Sequence, residues 1–256
     1  MKFNTLRKAI EIFDFFLERE SVVTVNEITQ ALKMPRSTTF AYLAFLKKHG
    51  FINDSEVTGE YRLGLRFLEY AYAIRSQIPL TGIALPYMRK LAASVEETVG
   101  LSIPITKFSC MIERIQKGTG ILYTMQLGSH IPLHCGSTAR TLLAFKPDDE
   151  IKKYIKETTL KSYNDKQFLN PAKLWDNLME VRKRGYAYSE DEIEVGVKGV
   201  ASPIFNDEDQ VIAALVVAGP STRMNKKKVN AVKNEVIEAT TKISQELGYQ
   251  YERNLG

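Results

Sequence analysis

Cysteine is scarce: only Cys110 and Cys135 occur, at a spacing that fits neither a zinc site nor a disulfide framework. No apolar run approaches the roughly 20 residues of a membrane span. No glycine-rich phosphate loop or dinucleotide fingerprint is present, which excludes the nucleotide-dependent enzymes that carry those signatures. The opening residues, MKFNTLRKAIEIF, hold Lys2, Arg7, Lys8 and Glu11 in place of an apolar signal core. Internal repeats and low-complexity tracts are lacking too. These absences lead us to expect a cytoplasmic protein with no membrane segment, no metal and no cofactor.

What is present is ample core material. Of 256 residues, 44% are hydrophobic, enough for two modest domains. Charges of both signs are interspersed and aromatics are plentiful, which argues against long disordered segments. A net charge of +5 permits nucleic-acid binding without demanding it.

The most informative stretch is Thr24 to Gly64. Thr24-x-x-Glu27 is a capping box, in which side chains satisfy orphan N–H groups at a helix start. Ile28, Ala31 and Leu32 then fall on one face at helical spacing. Lys33-Met34-Pro35 breaks that helix, because the residue before a proline is pushed out of the α region. A second helix is predicted from Pro35 or Arg36 to about His49, with Thr39, Tyr42, Leu43 and Leu46 on one side and Gly50 as terminator. An apolar pair, a polar turn over 53–60 and extended Tyr61-Arg62-Leu63 read as a β-hairpin. The whole is a winged helix-turn-helix, whose second helix normally enters the major groove. Between Glu27 and Asp54 there is no acidic residue, whereas Lys33, Arg36, Lys47 and Lys48 lie there, as a phosphate backbone requires.

An amphipathic first helix (Leu6, Ala9, Ile10, Phe13, Phe16, Leu17) should pack on this pair. After the hairpin, Leu65 to about Ser76 reads as a linker helix, apolar on several sides. A helix over 81–97 opens a second domain, with Pro86 placed in its first turn. Strands are predicted over 99–105, 108–115, 121–127, 186–188, 197–205 and 210–218, the last ended by Gly219-Pro220. Helices are expected over 136–145, 148–157, 170–184 (Asn170 capping, Pro171 in the first position) and 226–247. The order gives an α+β class: one antiparallel sheet flanked by helices. Domain boundaries are expected at 1–64 for the DNA-binding part, 65–80 for the linker and 81–256 for the remainder.

In the second domain, His134-Cys135-Gly136-Ser137-Thr138 is the most suggestive segment. Small residues at a helix start leave backbone N–H groups that could receive a carboxylate at Ser137 and Thr138; the plainer alternative is that Ser137 caps the helix. Cys135 beside His134 suggests a thiol nucleophile or redox sensor, although adjacent residues in an extended loop point apart. His130, His134 and Cys135 match no strong zinc pattern. No catalytic residue is assigned.

LKMPRSTTFAYLAFLKKHGFI followed by GEYRLG resembles the winged-helix signature of the IclR family of bacterial transcriptional regulators. IPLHCGSTARTLLA, RKRGYAYSEDEIEVGVKGVASPIFNDEDQVIAALVVAGPSTR and a final helix ending in ISQELG extend the resemblance over nearly the whole chain. It implies a GAF/PAS-like effector domain behind the linker helix. It also implies dimers, often tetramers, on palindromic double-stranded operators, and a small-molecule effector. Arg36, Ser37 and Thr38 match the family's recognition helix, and Lys47 and the wing's Arg62 complete the expected contacts. Phe40 and Ala41 stand where a long polar or basic residue is usual. Phe40 could meet thymine methyls or turn inward beside Leu43. In members that bind small keto acids, an aspartate, a cysteine and two serines occupy the positions of Ser189, Gly199, Val216 and Ala218, with an apolar patch at Tyr123, Ile131 and Val197. Three of those four polar side chains are gone, so the resemblance implies a larger or more apolar effector with an acidic or carbonyl end.

Overall fold

In the computed structural model, which describes residues 4–19, 22–77, 79–117, 126–161 and 170–250, the chain divides into two units, Met1–Ile78 and Pro79–Gly256. The first contains α1 (Asn4–Arg19), β1 (Val23–Thr24), α2 (Val25–Ala31), α3 (Arg36–Lys48), β2 (Ile52–Asp54), β3 (Glu60–Leu63) and α4 (Arg66–Gln77). The capping box forms: the Glu27 amide donates to the Thr24 hydroxyl at 3.3 Å, and the Thr24 amide donates to the Glu27 carboxylate at 2.7 Å. Lys33 turns the chain in a left-handed conformation (φ 49°) before Pro35. Ile12, Phe16, Ile28, Leu43, Leu46 and Ile52 make one core under the helix pair. Ala31, expected inward, is exposed, because α2 ends there.

The wing holds a third strand that sequence reading missed. Val23 pairs with Tyr61 and Thr24 with Glu60, so the sheet runs β1-β3-β2. A two-residue strand has no periodicity to reveal it. Gly64 lies so close to Gly50 that a Cβ would fall 2.0 Å from the Gly50 carbonyl oxygen. Its amide donates to Phe51 O at 2.8 Å, which ties the base of the wing to the end of α3. Phe67 of α4 meets Phe13 and Phe51 at 5.1 and 5.4 Å, seating α4 on α1.

The second unit contains α5 (Pro79–Val95), β4 (Thr98–Ile105), β5 (Phe108–Ile115), β6 (His130–Pro132), α6 (Gly136–Ala144), α7 (Asp148–Glu157), α8 (Pro171–Arg184), β7 (Ala187–Glu190), β8 (Val197–Phe205), β9 (Val211–Pro220) and α9 (Lys226–Glu246). Six strands form one antiparallel sheet in the order β6-β5-β4-β9-β8-β7. Thr240 of α9 donates to Ser202 on one face, whereas Thr141 of α6 reaches the Ala201 carbonyl on the other. Leu142, Leu143, Ile151, Leu174 and Leu178 form the core between α6, α7 and α8.

Several expectations need correction. Pro86 lies inside α5, not in its first turn, since the helix starts at Pro79. Its ring faces the carbonyl of Gly82, and both residues are exposed, so water can satisfy that carbonyl. Residues 130–132, read as loop, pair with β5 through Ser109–Ile131. The strand expected over 121–127 lies outside the described residues through 125, and Leu127 is in a turn. Finally β9 continues through Gly219 and Pro220, with Pro220 opposite Val197 at the end of the ladder, where a missing N–H is tolerated. Gly219 leaves room for the buried Glu97, which Arg223 clamps with two bonds of 2.8 and 2.7 Å.

Candidate functional site

A cavity of about 210 Å³ lies between the start of α6 and the sheet. Ser137, Thr138, Ile131, Ser189, Val197, Gly199, Val216 and Ala218 all line it, so the expected effector positions converge from five elements. Tyr123, the remaining one, lies outside the described residues. Cross-strand register explains the convergence: Ser189, Gly199 and Ala218 are directly paired across β7, β8 and β9 and share a face. Gly199 is a point of close approach to α6. A Cβ there would fall 2.7 Å from Ser137 Oγ and 3.1 Å from Ser189 Oγ.

The sequence reading missed a second polar wall. Ser102 and Ser109, 2% and 3% exposed, line the cavity from β4 and β5 together with Met111, and Gln126, Ser129, Glu192 and Glu194 complete its rim. The hydroxyls absent from β9 are thus offset by hydroxyls on β4 and β5. Simple two-residue alternation does not single them out, because the pairing register slips between Leu101 and Ser102 and both strands are buried over several consecutive residues.

At the start of α6, Gly136 adopts φ 70°, and the N-cap is Cys135 with no side-chain cap bond. Ser137 therefore does not cap the helix. The Gly136 amide donates to Glu192 Oε2 at 3.2 Å, while the Ser137 and Thr138 amides have no acceptor among the described residues. Glu192 is held by the buried Arg140, which donates to both carboxylate oxygens and to Tyr188 O at 2.8 Å. Its negative charge is thereby compensated within the protein. The local chemistry is that of an anion cradle: two N–H groups at the positive end of a helix dipole.

His134 and Cys135 are committed elsewhere. His134 Nε2 faces the Lys161 carbonyl at 3.1 Å, which only accepts, so Nε2 carries the proton and Nδ1 accepts from the Tyr154 hydroxyl at 2.8 Å. Burial pushes the Tyr154 pKa up to about 12 and holds His134 below its usual 6.5. Both ring nitrogens are used, so His134 cannot serve as base to Cys135, whose thiol points to Lys161 O at 3.8 Å. Burial raises the Cys110 thiol above its ordinary value. Among the described residues no cluster of His, Cys, Asp or Glu is arranged to hold a metal, and no helix is long and apolar enough to cross a membrane.

On the first unit, α3 buries Thr39, Leu43 and Leu46 and exposes Arg36, Ser37, Thr38, Phe40, Ala41 and Lys47. Phe40 turns outward, 44% exposed, with the Arg36 guanidinium over its ring. Lys47 is paired with Asp54 on the wing, so its charge is less available to phosphate than expected. Arg62 is exposed on β3 opposite Asn53 and has no carboxylate partner among the described residues.

Residues 5–54 match the IclR helix-turn-helix domain, and residues 72–245 match the bacterial transcriptional regulator IclR C-terminal domain. The chain is 30% identical over 248 residues to the HTH-type transcriptional regulator KipR of Bacillus subtilis, covering 97% of this chain and 98% of that protein. It is similar to the crystal structure of the Thermotoga maritima IclR, with a TM-score of 0.75 and 28% identity over 96% of this chain and 99% of the other. An IclR homolog from Microbacterium hydrocarbonoxydans, crystallised with 4-hydroxybenzoate, shares the fold at a TM-score of 0.80 and 24% identity, with 94% and 98% of the two chains covered. Helix pair, wing, sheet order and these matches agree: the chain belongs to the IclR family of bacterial transcriptional regulators.

Proposed function

We propose that this regulator responds to a small organic acid with an apolar body, bound in the cavity between α6 and the sheet. The observation that carries the reading is the pair of acceptor-less amides at Ser137 and Thr138, facing a wall that includes Ile131, Val197, Val216 and Ala218. A carboxylate at those amides gains about 0.3–1 kcal/mol from the helix dipole, and up to about 2 kcal/mol where partly buried. An apolar cavity of about 150 Å³ accommodates benzene, so 210 Å³ suits one substituted ring or a short acyl chain. Burying that body contributes about 25 cal/mol per Å² of apolar area, which a two-carbon acid cannot exploit. Calorimetry with glyoxylate, pyruvate, benzoate, 4-hydroxybenzoate and longer acyl acids tests this; 4-hydroxybenzoate belongs in the series because a structural neighbour holds it. Affinity rises with apolar size until the cavity is full, and Val216→Ser flattens the trend. Tight glyoxylate binding with no gain for larger acids would reverse the reading.

DNA is contacted in this reading by Arg36, Ser37, Thr38, Phe40 and Ala41 of α3 and by Arg62 of the wing, with Lys47 in a lesser role. The chain acts as a dimer on a two-fold operator. α1 exposes Leu6, Ile10 and Leu17, and α4 exposes Leu68 and Tyr70 with Leu65 just before it, an apolar surface that a second copy would cover. Two-fold pairing sets the recognition helices about 34 Å apart, one DNA turn. Sedimentation at micromolar concentration should give a dimer; a stable monomer with undiminished operator affinity is incompatible with this assembly.

A further inference from the structure

We propose that α3 selects its operator through thymine 5-methyl groups, read by Phe40 and Ala41. The proposal rests on the DNA-binding role of α3 and concerns what that helix can tell apart. Burial of Thr39, Leu43 and Leu46 fixes the helix orientation. At 3.6 residues per turn, the opposite side is centred on Ser37, Ala41, Ala44 and Lys48, with Phe40 on its Arg36 flank. Residues in the first half of a recognition helix are the ones that meet base edges.

The side-chain chemistry of that face is restricted. Adenine is read by Asn or Gln, and the cytosine amino group by Asp or Glu. The run from Arg36 to Lys48, RSTTFAYLAFLKK, contains none of the four. Ser37 and Thr38 bond to several bases and discriminate little. Arg36 can address guanine, and its guanidinium carbon lies 5.6 Å from the centroid of the Phe40 ring, so the two side chains present together. The rest of the first-half surface is apolar: a phenyl ring 44% exposed and the methyl of Ala41. The apolar feature that a base edge offers in the major groove is the thymine methyl. A single exposed phenylalanine would ordinarily need no explanation, and α3 exposes a second, Phe45, in its other half. Phe40 flanks the exposed side of a helix that lacks the usual amide and acid readers, which favours a reading role.

The test begins by enriching duplexes from a random-sequence pool with the full chain. Each thymine of the enriched half-site is then replaced by deoxyuridine, which removes the methyl and keeps the pairing and the phosphates. One or two positions per half-site should weaken binding about fourfold each, the fold-change expected for one buried methyl-sized group. Phe40→Ala should lower operator affinity and abolish the thymine–deoxyuridine difference at one of those positions, as a double-mutant cycle would register. Phe40→Leu should retain part of it. Deoxyuridine tolerated at every position, or Phe40→Ala keeping every penalty, overturns the proposal while DNA binding stands. Failure to enrich any duplex overturns both readings together.

Discussion

Buried in the second unit, the His134 ring joins the loop before α6 to Tyr154 of α7 and to the Lys161 carbonyl. Burial lowers its pKa from 6.5, with Arg140 adding to the shift and the bond to Lys161 opposing it. The folded state therefore binds the proton less readily than the unfolded state. Stability associated with neutral His134 is present above pH 6.5 and is lost as pH falls toward the folded-state value. Denaturant unfolding followed from pH 7 downward should show this loss, and His134→Gln should flatten the slope; an unchanged slope would show that other groups carry it. Single residues were unevenly legible in the sequence. Ser137 and Thr138 were recognisable because small residues before a helical run have a local signature. Ser102 and Ser109 were missed because their place depends on which face of β4 and β5 is turned toward α6. Glu192 was missed as well, since its pairing with Arg140 spans distant segments of the chain.

Elements fixed by neighbouring residues are where the sequence is most readable. Asn170 accepts from the amides of Ala172 and Lys173, Pro171 opens α8, and Gly185 closes it at φ 78°, so cap, start and stop were all visible. β1 and β6 were not, because two or three residues acquire strand identity only from the partner they pair with. The wing shows both cases: its hairpin was legible, its third strand was not. Arg62 projects from β3 opposite Asn53, and we assign it to the phosphate backbone. Arg62→Ala should weaken binding to all sequences and make the slope of log affinity against log salt shallower by about 0.9, one phosphate contact's share. A loss confined to one operator would show that the wing reads bases.

At the scale of the whole molecule, the reader of DNA and the holder of the effector are separate units, Met1–Ile78 and Pro79–Gly256. We propose that occupancy of the cavity behind α6 changes affinity for DNA. A ligand moves such an equilibrium only by its differential affinity for the two states, and the coupling is reciprocal. The direct test is fluorescence anisotropy of a labelled operator titrated with the full chain, with and without saturating amounts of the acid that binds tightest in calorimetry. Operator Kd should change by about fivefold or more, and saturating operator should change the acid's Kd by the same factor. An operator affinity unmoved by a fully occupied cavity would contradict this coupling.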